Sequence, residues 1–290
     1  MRPKRRNMNK KSIRGMAVTA AVLAVLVAGV CFYSGIKPNQ AAGKQVMTDQ
    51  VSHQASSQAK IPAAGTQNPE TAAEPKKAEE QIIIALDPGH QGPEAGMSGE
   101  EEDGPGSGIL KAKTTSGTTG RFTGLAEYQL NLEISEKVKT CLTDRGYQVV
   151  MTRENHETSV SNQDRAKIAN DSGAKLCVRI HANGSESPES AGALCLVMSP
   201  ENPFVGTLYD ESFKLAEDVL NSYCTATGIY NRGVQTDDTM TGINWSKIPV
   251  IILEMGFMTN QQDDIQMADP KFQQKMAEGI ADGIEAYISN

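Results

Sequence analysis

The chain has 290 residues, 39% apolar and 22% charged, and its mean hydropathy is negative. Those proportions exclude a multi-span membrane protein and a wholly disordered chain, and leave enough apolar residue for one ordinary core. Net charge is −7 but unevenly spread: residues 1–37 hold eight Lys/Arg and no acid, while residues 38–290 hold 20 basic against 35 acidic side chains, a balance that speaks against nucleic acid as a partner.

Residues 1–15 read as a basic tail. The next eighteen residues, 16–33, are MAVTAAVLAVLVAGVCFY and carry no charge. As a helix they would rise about 27 Å, close to the ~30 Å hydrocarbon core. Seven basic residues precede the run and only Lys37 follows closely. The positive-inside bias therefore places the N-terminus in the cytoplasm and the rest outside. Residues 16–35 are expected to be an uncleaved signal-anchor in the cell membrane. The alternative is a cleaved signal and a secreted protein, but no good A-x-A site follows the run directly. Residues 36–80 are nearly free of large apolar side chains and are expected to be a disordered linker with a reach of roughly 35–40 Å.

The body, residues 81–290, alternates strand and helix signals. IIIALD (82–87) is an apolar run ending in Asp-Pro-Gly and predicts a buried strand. Helical spacing over 125–145 stops at Gly146, and YQVVMT (147–152) is a strand. A helix is expected over 161–171, with Ser161 as its cap, then strands at 176–182 and 193–198. A long helix over 207–226, an apolar strand over 248–256 and a last helix over 271–288 complete the pattern. The alternation predicts a single α/β domain, with a mixed, mostly parallel sheet flanked by helices on both faces. Residues 91–124 fit no element, and a loop that long inside a compact domain is usually functional or mobile. Residues 229–247 also read as loop, with short polar strand-like pieces. The five cysteines show no CxxC and no zinc-finger spacing; buried free thiols are the favoured reading over a Cys177–Cys195 disulfide.

Three apolar strands end in reactive residue types: Asp87-Pro88-Gly89-His90, His181-Ala182-Asn183, and Glu254. Sites in open α/β sheets form outside the carboxyl ends of strands. Of the four histidines, His53 lies in the linker and His156 in a polar loop, so His90 and His181 are the two that strands would place. Two histidines and a carboxylate with an open fourth position is a catalytic zinc arrangement. Each residue also has a plainer reading. By position alone Glu127 is a helix-dipole residue. Asp87 could simply order its turn. Glu254 follows four apolar residues in a strand that should be buried, where an ionised carboxylate is costly unless paired, protonated or near a metal.

The ordered blocks DPGHQG, TGLAEYQLNLEI, GYQVVMTRE, RIHANGS, YNRGV and PVIILEMGFMTN span the body, residues 81–290. The chain resembles the zinc-dependent N-acetylmuramoyl-L-alanine amidases of the Amidase_3 type. The resemblance implies a catalytic domain over 81–290 that holds one Zn²⁺ through His90, Glu127 and His181, with Glu254 as the catalytic acid/base. It implies peptidoglycan as substrate and the amide between the lactyl group of N-acetylmuramic acid and L-alanine as the bond cut. Two features depart from the family pattern. The 91–124 insertion is long, and Arg179 stands where a small residue is usual before Ile-His-Ala-Asn. Arg179 shares a strand face with His181, so it is a candidate contact for a substrate carboxylate or oxyanion. Pairing with an acid of the body is the equally plain alternative. Two rival readings stand beside the amidase: a tethered peptidoglycan-binding protein without turnover, and a zinc hydrolase of the same fold cutting another cell-wall amide.

Overall fold

The computed structural model describes residues 81–290; the expected tail, signal-anchor and linker lie outside the described residues. Among the described residues no helix is long and apolar enough to cross a membrane. The chain runs β1 (Ile83–Pro88), β2 (Glu100–Glu102), β3 (Leu110–Ala112), α1 (Glu127–Asp144), β4 (Gln148–Met151), α2 (Asn162–Asp171), β5 (Cys177–Asn183), β6 (Ala193–Val197), α3 (Tyr209–Thr227), β7 (Asn231–Thr236), α4 (Thr241–Asn244), β8 (Val250–Phe257), α5 (Gln261–Met267) and α6 (Pro270–Ser289).

Six strands form one sheet in the order β4, β1, β5, β8, β6, β7. Every pairing is parallel except β6 with β8, so the sheet is mixed and mostly parallel as expected. The central strands are almost wholly buried, which is why they read as unbroken apolar runs rather than as alternation. From β1 the chain steps outward to β4, then back across β1 to β5. By the right-handed rule for parallel crossovers, two connections of opposite step place α1 and α2 on opposite faces. The reversal also opens a crevice at the carboxyl ends of β1 and β5, where both histidines emerge.

Local chemistry sets the element boundaries. The Ser161 hydroxyl accepts the Asp164 amide at 3.1 Å and the Asp164 carboxylate accepts the Ser161 amide at 2.9 Å, a reciprocal cap that starts α2. The Asp269 carboxylate accepts the amides of Lys271 and Phe272 and starts α6. Tyr223 is fully buried in α3, and its hydroxyl donates to the Met255 carbonyl at 2.7 Å, tying that helix to β8.

Residues 91–124 are not the featureless loop the composition suggests. They carry the antiparallel hairpin of β2 and β3. Its strands, Glu-Glu-Glu and Leu-Lys-Ala, are three residues long and have no apolar alternation to read. Side chains elsewhere hold the hairpin: Trp245 Nε1 and Gln163 Nε2 donate to the Glu102 carbonyl at 3.0 and 2.9 Å, and the Thr241 hydroxyl donates to Asp103 at 3.1 Å. Residues 229–247 likewise hold β7 and α4, and α5 was not foreseen. The described cysteines are free thiols, as favoured; Cys177 and Cys195 are buried, while Cys141 and Cys224 are only partly so. Burial pushes Cys177 up to about 12 and Cys224 to about 11, so both are inert at neutral pH.

Helices α3 and α6 pack closely because α6 presents glycines. A Cβ at Gly283 would stand 2.4 Å from the Val219 Cα. Gly283→Ala gains about 1 kcal/mol of helix propensity, but the clash is with backbone and overpacking costs about 1–3 kcal/mol. We predict net destabilisation of roughly 1–2 kcal/mol by urea unfolding; unchanged or increased stability would contradict this close packing.

Candidate active site

The turn after β1 is shaped by buried charge. Asp87 is 1% exposed. Its Oδ1 accepts Arg165 Nη1 at 2.7 Å and the Thr152 hydroxyl, and its Oδ2 accepts Arg179 Nε at 2.6 Å. Burial opposes the carboxylate, but Arg165, Arg179 and Thr152 together overcome it and hold Asp87 far below the usual carboxylate range. Arg165 then donates to the carbonyls of Pro88 and His90, both at 2.6 Å. Arg153 donates to Pro88, Gly89 and Tyr128 carbonyls at 2.9, 3.0 and 2.7 Å. Two guanidinium forks thus satisfy the carbonyls of the turn where β1 ends.

This clamp holds His90 at φ 59°, the one positive value among the described non-glycine residues. That conformation costs a non-glycine residue of order 1 kcal/mol and aims the ring back over the sheet. His90 Nδ1 faces the Thr115 carbonyl at 3.0 Å. A carbonyl only accepts, so Nδ1 carries the proton and Nε2 presents its lone pair. Nε2 stands 3.1 Å from Glu127 Oε1.

Glu127 is the first residue of α1 and is buried. Its Oε2 accepts the Thr118 amide at 2.8 Å; its Oε1 accepts the Ala182 amide at 3.2 Å and Asn131 Nδ2 at 3.3 Å. Burial disfavours its charge, but the facing His181 and His90 outweigh that, so its pKa is lowered. His181 Nδ1 lies 3.3 Å from the same Oε1. Burial, only partly offset by Glu127, pushes His181 down to about 4, so its ring is neutral at neutral pH. The rings of His90 and His181 meet edge to face with centroids 4.8 Å apart. Gly89 makes room: a Cβ there would fall 2.2 Å from the His181 ring.

The donor set fits a small divalent cation. One ligand atom each from His90, Glu127 and His181 lies within 4.8 Å of the others. Ligands at about 2.0–2.1 Å around a tetrahedral ion stand roughly 3.3 Å apart, which the 3.1 and 3.3 Å histidine-to-Glu127 distances match. Glu254 on β8 is the register partner of His181 on β5. Its Oε2 is buried without a hydrogen-bond partner. Burial, and secondarily the Glu127 charge, push Glu254 up to about 8. The structure thus brings together all four residues expected at the site. Arg179 lies beside them but gives its Nε to Asp87 and its Nη2 to Asn162, at 3.1 Å; pairing with a body acid is what is found. Sequence reasoning missed Arg153 and Arg165, which sit in polar contexts with no sign of burial.

This constellation defines a class: an α/β domain with a His–Glu–His group of metal-ligating geometry on the carboxyl rim of a mixed sheet. The chain belongs to the N-acetylmuramoyl-L-alanine amidase family, whose sequence profile matches residues 84–286. It is 32% identical over 174 residues to the N-acetylmuramoyl-L-alanine amidase LytC of Bacillus subtilis, across 59% of this chain and 33% of that relative. This chain therefore matches about a third of that protein's length. It is 27% identical over 224 residues to the germination-specific N-acetylmuramoyl-L-alanine amidase of the same organism, across 71% of this chain and 80% of the relative. Among solved structures, the apo form of the amidase Ami1 from Mycobacterium abscessus aligns at TM-score 0.64 and 26% identity, over 71% of this chain and 98% of that one. The catalytic domain of the amidase CwlV from Bacillus (Paenibacillus) polymyxa var. colistinus aligns at 0.58 and 26%, over 72% and 99%.

Two predictions follow from this geometry. Asp87→Asn leaves buried guanidiniums uncompensated and should cost about 3–5 kcal/mol. Because the folded pKa of Asp87 lies far below its unfolded value near 3.8, its contribution is full above about pH 4 and declines progressively as pH falls from there toward the folded pKa. Urea unfolding at pH 7 and pH 3 checks both; a loss under 1 kcal/mol at pH 7 would contradict the account. Gly117 sits at φ +77°, and a Cβ there would lie 2.4 Å from Glu127 Oε2 and 2.8 Å from His90 Cδ2. Gly117→Ala should therefore weaken metal affinity roughly tenfold or more, the scale of lost support around a metal ligand. Competitive zinc titration measures it, and unchanged affinity would show that residues 115–118 do not support the ligands.

Proposed function

We propose that this chain is a zinc-dependent N-acetylmuramoyl-L-alanine amidase, hydrolysing the amide between the lactyl group of N-acetylmuramic acid and L-alanine in peptidoglycan. The observation that carries the reading is the convergence of His90, Glu127 and His181 beside Glu254, whose Oε2 is buried without a partner. Family membership and relatives named for this activity support it.

His90, Glu127 and His181 would hold one zinc ion. Zinc supplies Lewis acidity there, polarising the amide carbonyl and bringing a water toward ionisation near pH 7. The protein's own contribution is to orient and to move a proton. The Thr115 carbonyl fixes the His90 tautomer, and burial keeps His181 neutral, so both rings present lone pairs. The amides of Thr118 and Ala182 and the Asn131 side chain donate to Glu127 and favour its ionised form. Glu254 takes a proton from the attacking water and returns it to the departing L-alanine nitrogen, which leaves poorly as an anion. Burial raises its pKa, and the charge of a bound cation would draw it back toward the ionised form that accepts that proton.

A binding protein without turnover needs no catalytic carboxylate, so Glu254 favours catalysis over that rival. The domain would work outside the cell, held to the membrane by the 16–35 signal-anchor through the 36–80 linker. The basic tail before the anchor and the low apolar content of the linker support this placement. The alternative of cleavage and secretion is distinguished by the size and membrane fractionation of the mature chain.

Glu254→Gln should retain about one zinc per chain and lose at least a hundredfold in kcat, the scale of general acid–base catalysis. His90→Ala and His181→Ala should lose both metal and activity. Metal analysis beside muropeptide hydrolysis separates the two classes; wild-type turnover by a folded Glu254→Gln protein would remove this mechanism.

A further inference from the structure

A cavity of about 220 Å³ opens beside the proposed reaction centre, with His90 and His181 in one wall. Two cationic side chains, Lys111 and Arg179, line it, and no acidic side chain does. That is unexpected in a domain whose residues 81–290 hold 30 acidic and 16 basic side chains. Both cations keep donor capacity toward the space. Arg179 spends Nε on Asp87 and Nη2 on Asn162, and its Nη1 has no protein acceptor among the described residues. Nη1 lies against Gly242, where a Cβ would fall 1.1 Å away; a glycine there is what gives the guanidinium its room in the cavity wall. Lys111 donates to the Thr239 carbonyl and lies 3.4 Å from Asp103, which leaves one of its three protons uncommitted.

Lys111 is carried by β3, in the insertion between His90 and Glu127. The hairpin is fixed by Trp245, Gln163 and Thr241 rather than by its own short strands. Its ammonium group is thereby positioned before any ligand arrives, and a pre-ordered donor loses little entropy on binding. One guanidinium nitrogen and an ammonium group, in a small pocket whose lining holds no acid, offer two charged donors to a carboxylate, which would share the ammonium with Asp103.

We propose that Lys111 and Arg179 form a carboxylate-binding subsite beside the reaction centre, which selects stem peptides with a free carboxylate close to the scissile amide over amidated ones. The identity of the ligand as a stem peptide rests on the amidase reading; the anion preference rests on the cavity. An uncharged carboxamide forgoes the charge-assisted contacts, a difference of roughly tenfold or more.

The test uses the full chain in detergent, loaded with zinc and checked for metal content. Two synthetic muramoyl peptides would differ only by carboxylate against carboxamide at the residue after L-alanine. Wild type should favour the carboxylate roughly tenfold in kcat/KM, with the difference in KM. Lys111→Met should bring that ratio toward one, and Lys111→Arg should restore most of it. Ala112→Glu puts an acid on an exposed lining position and should also abolish the preference, which keeps the test valid if Lys111→Met loses the hairpin. Equal kcat/KM for the two peptides in wild type, or an unchanged ratio in both Lys111→Met and Ala112→Glu, would overturn the subsite. If neither peptide is cleaved, the amidase reading fails, and calorimetry with the same peptides decides the subsite: preferential carboxylate binding sustains it and equal binding overturns it.

Discussion

Everything at the site hangs on one buried carboxylate. Asp87 lies at the end of β1 and offsets Arg165 and Arg179 in a region with almost no water contact. Only because that charge is present can Arg165 reside there and reach the His90 carbonyl. Arg153 completes the clamp through the Gly89 and Tyr128 carbonyls, which links the histidine turn to the first turn of α1. Asn131 bridges the same two places, donating to the Gly89 carbonyl and to Glu127. The positions of a histidine in a left-handed conformation and of a carboxylate from another element are therefore set by a single hydrogen-bonded unit. Such a unit is specified as a whole, because a half-satisfied buried network costs more than none.

The insertion between the two elements serves that unit as well as the cavity beside it. Residues 115–118 pass against the His–Glu–His group, with the Thr115 carbonyl on His90 and the Thr118 amide on Glu127. Its hairpin closes a wall of the cavity with Lys111. A segment with little structure of its own thus acquires a fixed shape from long-range partners, and returns it as orientation of the site.

How much of this was legible in the sequence depended on whether the cause was local. β1, β5 and β8 could be read because burial on both faces leaves continuous apolar runs. α2 could be read because Ser161 caps it, and His90, His181 and Glu254 stood out as polar residues at the ends of those strands. Glu127 was different. Its place at a helix start looks like dipole chemistry, and its role comes from Thr118, Ala182 and two histidines distant in sequence; there the family resemblance supplied what spacing did not. Asp87 read as a turn residue because its partners lie 78 and 92 positions away. The hairpin of β2 and β3 was hidden for the same reason: its order is imposed by Trp245, Gln163 and Thr241. Arg179 was read two ways, and the structure joins it to Asp87 while leaving its free edge in the cavity wall.

The central claim is that the four convergent residues make a metal-dependent amidase rather than a binding site. The most direct measurement is mass spectrometry of defined muropeptides after incubation with the purified protein, with and without a chelator. The account predicts a free muramic acid product and a peptide with a new L-alanine N-terminus, abolished by chelation and restored by zinc. Cleavage that survives full metal removal, or stable binding without cleavage by a zinc-loaded folded protein, would contradict it.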